Sequence, residues 1–117
     1  MRRRPHFIGI YLITHKPSGH VYVGKSSDIF MRWNGHLTSL LAKKHHNPGL
    51  QAVFTKPEDL SFQIMEICTK KQLGKKEKQA IVDAAAKYGQ KLTNVKNNPL
   101  AKLFAGPIGE KNVPVKP

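Results

Sequence analysis

The chain has 117 residues and sets 20 Lys+Arg against 7 Asp+Glu, a formal net charge of +13 and a pI near 10.1. With 39% hydrophobic residues it is a folding chain and not a basic disordered tail, and its length fits one domain with a core of modest size. So positive a chain implies a polyanionic partner, nucleic acid before an anionic membrane surface, while its few acids (Asp28, Glu58, Asp59, Glu66, Glu77, Asp83 and Glu110) make a two-metal site hard to build.

Arg2-Arg3-Arg4 before Phe7 to Thr14 superficially resembles a secretory leader, but the apolar run is short and no small-residue cleavage site follows. Phe7 to Thr14 (FIGIYLIT) is rich in β-branched and aromatic residues and predicts a strand. Lys16-Pro17-Ser18-Gly19 is turn chemistry, and His20 to Lys25 (HVYVGK) predicts the return strand of a hairpin. Ser26-Ser27-Asp28 offers N-cap side chains for a helix from about Ile29 to Lys44, with Ile29, Trp33, Leu37, Leu40 and Leu41 on one apolar stripe. Asn47 and Pro48 start a short second helix with Leu50, Val53 and Phe54 facing in. Leu60 to Cys68 alternates with period two and predicts a third strand. Cys68 is the only cysteine, so no intrachain disulfide forms, and a reducing, cytoplasmic location is expected. Thr69 caps a helix from about Lys70 to Tyr88, with Gly89 as its stop. Beyond Asn94 prolines and glycines predict an irregular tail, part of which Leu100, Leu103 and Phe104 would dock. No segment approaches transmembrane length.

If Tyr11 pairs opposite Tyr22, then Ile13 faces His20 and Gly9 faces Gly24. Alternation then puts Ile8, Ile10, Leu12, Val21 and Val23 on an aliphatic core face. The other face carries Gly9, Tyr11, Tyr22 and Gly24, and the glycines leave room for a phosphate to approach the backbone, or else simply mark bulges. Arg32 and His36, four residues apart, share a helical face bordering the apolar stripe, and an arginine fork there suits a phosphate. Lys25 lies near the same cleft. On the last helix Leu73, Glu77, Ala80, Ile81, Ala84 and Tyr88 form one stripe, which turns Glu77 inward while Asp83 faces solvent. An inward carboxylate is costly unless it is paired, with Arg32 or a lysine, or holds a cation.

Gly9-Ile10-Tyr11, ten residues and then Tyr22-Val23-Gly24 resembles the defining motif of the GIY-YIG nuclease superfamily. Arg32 and His36 in MRWNGH, Glu77 in KKEKQAIVD and Asn94 in LTNVKN follow in the family's order, over about Phe7 to Asn97, and the chain looks like the small phage and mobile-element members. The resemblance implies an α+β fold, a small three-stranded antiparallel sheet flanked by helices, as a nuclease domain over 1–97 with a tail over 98–117. It also implies hydrolysis of phosphodiester bonds in DNA, duplex or branched. One Mg²⁺ (Mn²⁺ as a substitute) would be held by Glu77, Arg32 would act on the phosphate, and Tyr11 or Tyr22 would be the base that activates water. Tyr11 is preferred, with Tyr22 orienting water or phosphate. His36 would take the tyrosine's proton or hold its hydroxyl, and Asn94 would orient the glutamate or a phosphate-bound water. Gly9, Gly24 and Lys25 would contact the substrate. The second motif departs from the family in reading YVG, a volume-conserving change on the core face. There is also no room for the separate DNA-binding region of larger members, which leaves specificity and oligomeric state open.

Two alternatives stand on the same fold, a non-catalytic nucleic-acid-binding module and a ribonuclease. A nuclease site built on His45, His46 and Asn47 lacks later histidine ligands, and one cysteine with scattered histidines makes a poor zinc site.

Overall fold

The computed structural model describes residues 6–99. The expected tail from residue 100 onward, with Leu100, Leu103 and Phe104, and the basic stretch Arg2–Arg4 lie outside them. Among the described residues no helix is long and apolar enough to cross a membrane. The elements are β1 (Gly9–His15), β2 (His20–Ser26), α1 (Ile29–Leu41), α2 (Pro48–Val53), β3 (Leu60–Ile67) and α3 (Leu73–Tyr88), joined by short 3₁₀ turns. The strands form one antiparallel sheet in the order β2-β1-β3, an α+β architecture with helices on both faces.

The hairpin is paired two residues away from the expected register. Tyr11 lies opposite Gly24, Ile13 opposite Tyr22, Gly9 opposite Ser26, and the strands run on to a His15–His20 pair. The cause lies at the turn. His15 is buried, with its ring nitrogens held by Ser18 Oγ at 2.7 Å and Thr55 Oγ1 at 2.9 Å, which draws the strand out to residue 15. Four residues then close the loop, with Gly19 at φ +77° donating its N–H to the His15 carbonyl at 2.8 Å. A slip of two preserves parity, so every side chain keeps its expected face.

The tyrosine face, however, is not left open. Ile10, Leu12, Val21 and Val23 pack against Ile81, Ala84 and Ala85 of α3. Tyr11, Ile13 and Tyr22 pack on the opposite face against Ile29 and Leu40 of α1, Leu50 of α2 and Leu60 of β3. Both faces of β1 are therefore core, and its residues Ile10 and Ile13 are at most 1% exposed, each burial contributing about 1.5–3 kcal/mol.

Local signals set most of the boundaries. Asp28 caps α1, its carboxylate accepting from the Met31 N–H at 3.3 Å, and Asn47 caps α2 by accepting from Leu50 N–H at 2.9 Å. α1 stops three residues short of the expected Lys44, because Lys43 turns left-handed at φ 61° and sends the chain back over the tyrosines. Leu41, placed on the apolar stripe, is consequently 57% exposed. In β3 the register shifts opposite Ile10 and Tyr11, which brings Glu66 opposite Ile10, and its carboxylate pairs with Lys76 of α3 at 2.8 Å. Gly89 ends α3 with φ 57°. The 92–94 segment then runs beside edge strand β2, Leu92 bridging Val21 in parallel and Thr93 N–H donating to the Val21 carbonyl at 2.8 Å.

Candidate active site

The two tyrosines leave the sheet on the α1 side, each ending on a histidine. Tyr11 Oη lies 2.6 Å from His36 Nε2, and Tyr22 Oη lies 3.1 Å from His46 Nε2. His36 and Arg32 lie one turn apart on α1, His36 bonding the Tyr11 hydroxyl and the Arg32 charge acting on it. The His36 Nδ1 meets His45 Nε2 at 2.7 Å, and the His45 Nδ1 accepts the Asn47 N–H at 3.0 Å. The His36 and His45 rings lie side by side across their hydrogen bond, centroids 4.9 Å apart and planes 27° apart, and the His45 and His46 centroids are 4.5 Å apart.

A cleft of about 310 Å³ opens beside this cluster, lined by Tyr22, His46, Asn47, Glu77, Asn94 and Lys96 among others. Glu77 is the one carboxylate among its lining residues. As the α3 stripe requires, it points inward, its side chain 18% exposed, and Lys25 stands 3.8 Å away. The open choice of partner for this acid thus resolves to Lys25, with the Lys96 and Arg32 charges also acting on it. Burial nevertheless raises the Glu77 carboxyl above its ordinary value, against the opposing pull of Lys25, Lys96 and Arg32.

Burial dominates the other groups as well. It pushes the Tyr11 hydroxyl well above the ordinary phenol range; the Tyr22 and Glu77 charges add to this, and Arg32 opposes it. Tyr22 is raised for the same leading reason. Burial first, then the adjacent imidazoles (each ring disfavouring a proton on the next) and the Arg32 charge, depress His36 to about 3 and His45 to about 4, and burial and Arg32 lower His46 too. All three imidazoles are therefore neutral near neutral pH.

Three placements differ from those expected. Gly9 and Gly24 do not open the backbone to a phosphate. A Cβ on Gly9 would run into the Glu66 carbonyl group and sit 3.1 Å from Ile67 Cα, and one on Gly24 would overlap the Tyr11 hydroxyl and lie 2.6 Å from Tyr11 Cε1. The glycines admit the chain's own atoms: Gly24 lets the Tyr11 ring cross its strand toward His36. Asn94 is committed to the sheet. Its Oδ1 accepts the Val23 N–H at 2.8 Å and its Nδ2 donates to the Val23 carbonyl at 2.9 Å, so it extends the pairing of edge strand β2 rather than reaching toward Glu77. Tyr11 is 1% exposed and is not among the residues lining the cleft, whereas Tyr22 is.

Arg32, His36, Lys25, Glu77 and both tyrosines do come together. The sequence reading missed His45 and His46 as partners of the tyrosine system, and Lys96 as a cation beside Glu77. The adjacent histidines just before an Asn-Pro helix start were the available signal, but only the fold-back after Lys43 aims them at His36 and Tyr22.

Among the described residues no group of three or more His, Cys, Asp or Glu is arranged to hold a metal. A lone carboxylate cannot form a protein cage, but it suits a hard cation such as Mg²⁺, which keeps several waters and completes its shell with phosphate oxygens.

Two tyrosines from a three-stranded sheet, an arginine from one flanking helix and a glutamate from another, gathered in one cluster beside a cleft that Tyr22 and Glu77 line, define a small nuclease domain. The chain belongs to the GIY-YIG family, whose model, the GIY-YIG catalytic domain, matches residues 7–89. A glutamate-to-alanine variant of the catalytic domain of intron endonuclease I-TevI superposes with a TM-score of 0.66 at 25% identity, covering 78% of this chain and 95% of that one. The catalytic domain of homing endonuclease I-TevI gives a TM-score of 0.64 at 24% identity over 74% and 98%. No curated protein sequence matches significantly.

Proposed function

We propose that the protein is an endonuclease that hydrolyses phosphodiester bonds in DNA, duplex or branched, using one Mg²⁺ held at Glu77, for which Mn²⁺ substitutes. The observation that carries this reading is the half-buried Glu77, the sole acid lining a cleft that it shares with Tyr22 and Lys96, with the Lys25 and Arg32 charges acting on it. A chain built only to bind a polyanion has no use for an inward carboxylate there. When bound, the cation supplies Lewis-acid stabilisation of charge on the phosphate and on the leaving 3′ oxygen.

The protein's own groups supply the rest. Arg32 neutralises charge building on the phosphate, and Lys25, 3.8 Å from Glu77, helps hold the polymer. Tyr11 takes the proton of the attacking water. Ionising an ordinary phenol at neutral pH costs about 4 kcal/mol, and burial raises the cost for Tyr11, so the His36 ring bonded to its oxygen and the nearby Arg32 charge are what make an anion there tolerable. Tyr22, facing the cleft, orients water or phosphate. One observation favours the reverse assignment of the tyrosines: Tyr22 lines the cleft and Tyr11 does not.

The test is cleavage of plasmid, branched, single-stranded and RNA substrates with Mg²⁺, with and without chelator. Glu77→Ala is expected to bind DNA and not cut it; unchanged cleavage overturns the metal assignment. Tyr11→Phe is expected to remove most activity, and if Tyr22→Phe alone does so, Tyr22 is the base. Binding without cutting by the unaltered protein identifies a binding module, and preferential RNA cleavage a ribonuclease.

A further inference from the structure

A buried hydrogen-bonded chain runs from Tyr11 through His36 and His45 to a backbone amide, and its last member fixes its direction. A backbone N–H can only donate. The Asn47 N–H, 3.0 Å from His45 Nδ1, therefore requires that nitrogen to be bare and leaves the ring proton of neutral His45 on Nε2. That proton points at His36 Nδ1, 2.7 Å away, so His36 accepts there and carries its own proton on Nε2. The His36 Nε2–H then donates to Tyr11 Oη at 2.6 Å. Turning the His45 ring over would put carbons against both Asn47 and His36 and lose both bonds.

We propose that His45 is a positioning residue which, anchored on the Asn47 amide, locks His36 in the Nε2–H tautomer and so makes His36 a donor to Tyr11. The proposal rests on the reading of Tyr11 as the base and specifies how His36 serves it. His36 does not receive the tyrosine's proton, because its Nε2 already bears one; it holds the phenolic oxygen and stabilises the anion. The Tyr11 proton therefore points away from His36 and is lost to solvent water, not to the imidazole, before the phenolate accepts the proton of the attacking water.

Two further features support the lock. The anchor is rigid: Asn47 is the N-cap of α2, its Oδ1 accepting Leu50 N–H at 2.9 Å and its Nδ2 donating to the Thr93 carbonyl at 2.9 Å. His36 and His45 are only 3% and 8% exposed, so little of either ring is open to a competing water. Their depressed pKa values, about 3 and about 4, leave each ring with one proton at working pH, so a single tautomer choice propagates along the chain.

The test compares His45→Gln, which keeps an N–H where His45 Nε2 lies, with His45→Leu, which fills the space and donates nothing. In Mg²⁺-dependent DNA cleavage, His45→Leu is expected to lower kcat on the order of 10²-fold with KM unchanged, and His45→Gln to restore it to within about 10-fold of the unaltered protein. Imidazole nitrogen-15 spectra of the unaltered protein are expected to show His36 protonated at Nε2, and those of His45→Leu to show a mixture. Three results would overturn the proposal: His36 protonated at Nδ1 in the unaltered protein, full cleavage by His45→Leu, or equal loss in both variants. Failure of the unaltered protein to cut any DNA refutes the proposed function instead, and the spectrum alone then decides the tautomer. The spectrum likewise decides if His45→Leu does not fold.

Discussion

Gly24→Ala places one methyl group where the structure has least room for it. The new Cβ would overlap Tyr11 Oη and Cζ and stand 2.6 Å from Cε1. Ordinary contact lies near 3.5–4.0 Å, so the ring must retreat by about 1 Å. It has nowhere to go cheaply: Tyr11 is 1% exposed, with Trp33 edge-on at 6.1 Å and His36 bonded to its hydroxyl. Overpacking of this kind costs about 1–3 kcal/mol, which for a domain of about a hundred residues is a fall in Tm of roughly 4–20 °C. The same retreat stretches the 2.6 Å bond to His36, and a misplacement of about 1 Å in a catalytic group lowers the rate on the order of 10²-fold. Thermal unfolding and single-turnover cleavage measure the two effects on one sample. A double-mutant cycle with Tyr11→Leu, which removes the ring, isolates the clash, because the alanine should cost much less in that background. If Gly24→Ala keeps both the parent Tm and the parent cleavage rate, the argument that this glycine exists to pass the Tyr11 ring is wrong.

The remaining predictions concern support rather than chemistry. Asn94→Ala leaves the buried Val23 N–H and carbonyl without their partners, so the unfolding free energy from denaturant melts should fall by about 2–6 kcal/mol; loss of cleavage at unchanged stability would instead return Asn94 to the substrate. His36 and His45, held near 3 and 4 in the folded protein, take up protons near 6.5 once unfolded. The unfolded state therefore binds more protons between pH 6.5 and 4, and stability is lost as pH falls through that window by up to about 1.4 kcal/mol per pH unit for each ring; denaturant midpoints that stay level from pH 7 to 4.5 contradict the burial of these rings. Gly35 lies in the interior of α1 with open space where a Cβ would stand, so Gly35→Ala should raise stability by about 0.5–1 kcal/mol through backbone entropy alone, seen as a higher Tm.

Much of the architecture was legible because it rests on local chemistry. Strand alternation assigned Ile10, Leu12, Val21 and Val23 to one face and the tyrosines to the other, and a two-residue slip in register left that assignment intact because side chains repeat every two residues. The caps at Asp28, Asn47 and Gly89 are properties of single residues next to apolar runs. The inward turn of Glu77 followed from its place on the α3 stripe.

What the sequence by itself determined, then, is periodicity, caps and the identity of the groups that gather beside the cleft: two tyrosines, Arg32, His36, Lys25 and Glu77. What only the tertiary structure decided is who stands beside whom. The glycines proved to be filled by Tyr11 and the Glu66 carbonyl, Asn94 proved to be bound to Val23, and His45 and His46 joined the tyrosines. Each of these contacts joins residues 9 to 71 positions apart in the chain. Their partners are chosen by how β2, β3, α1 and the 92–94 segment pack around β1, and no spacing within one element carries that information.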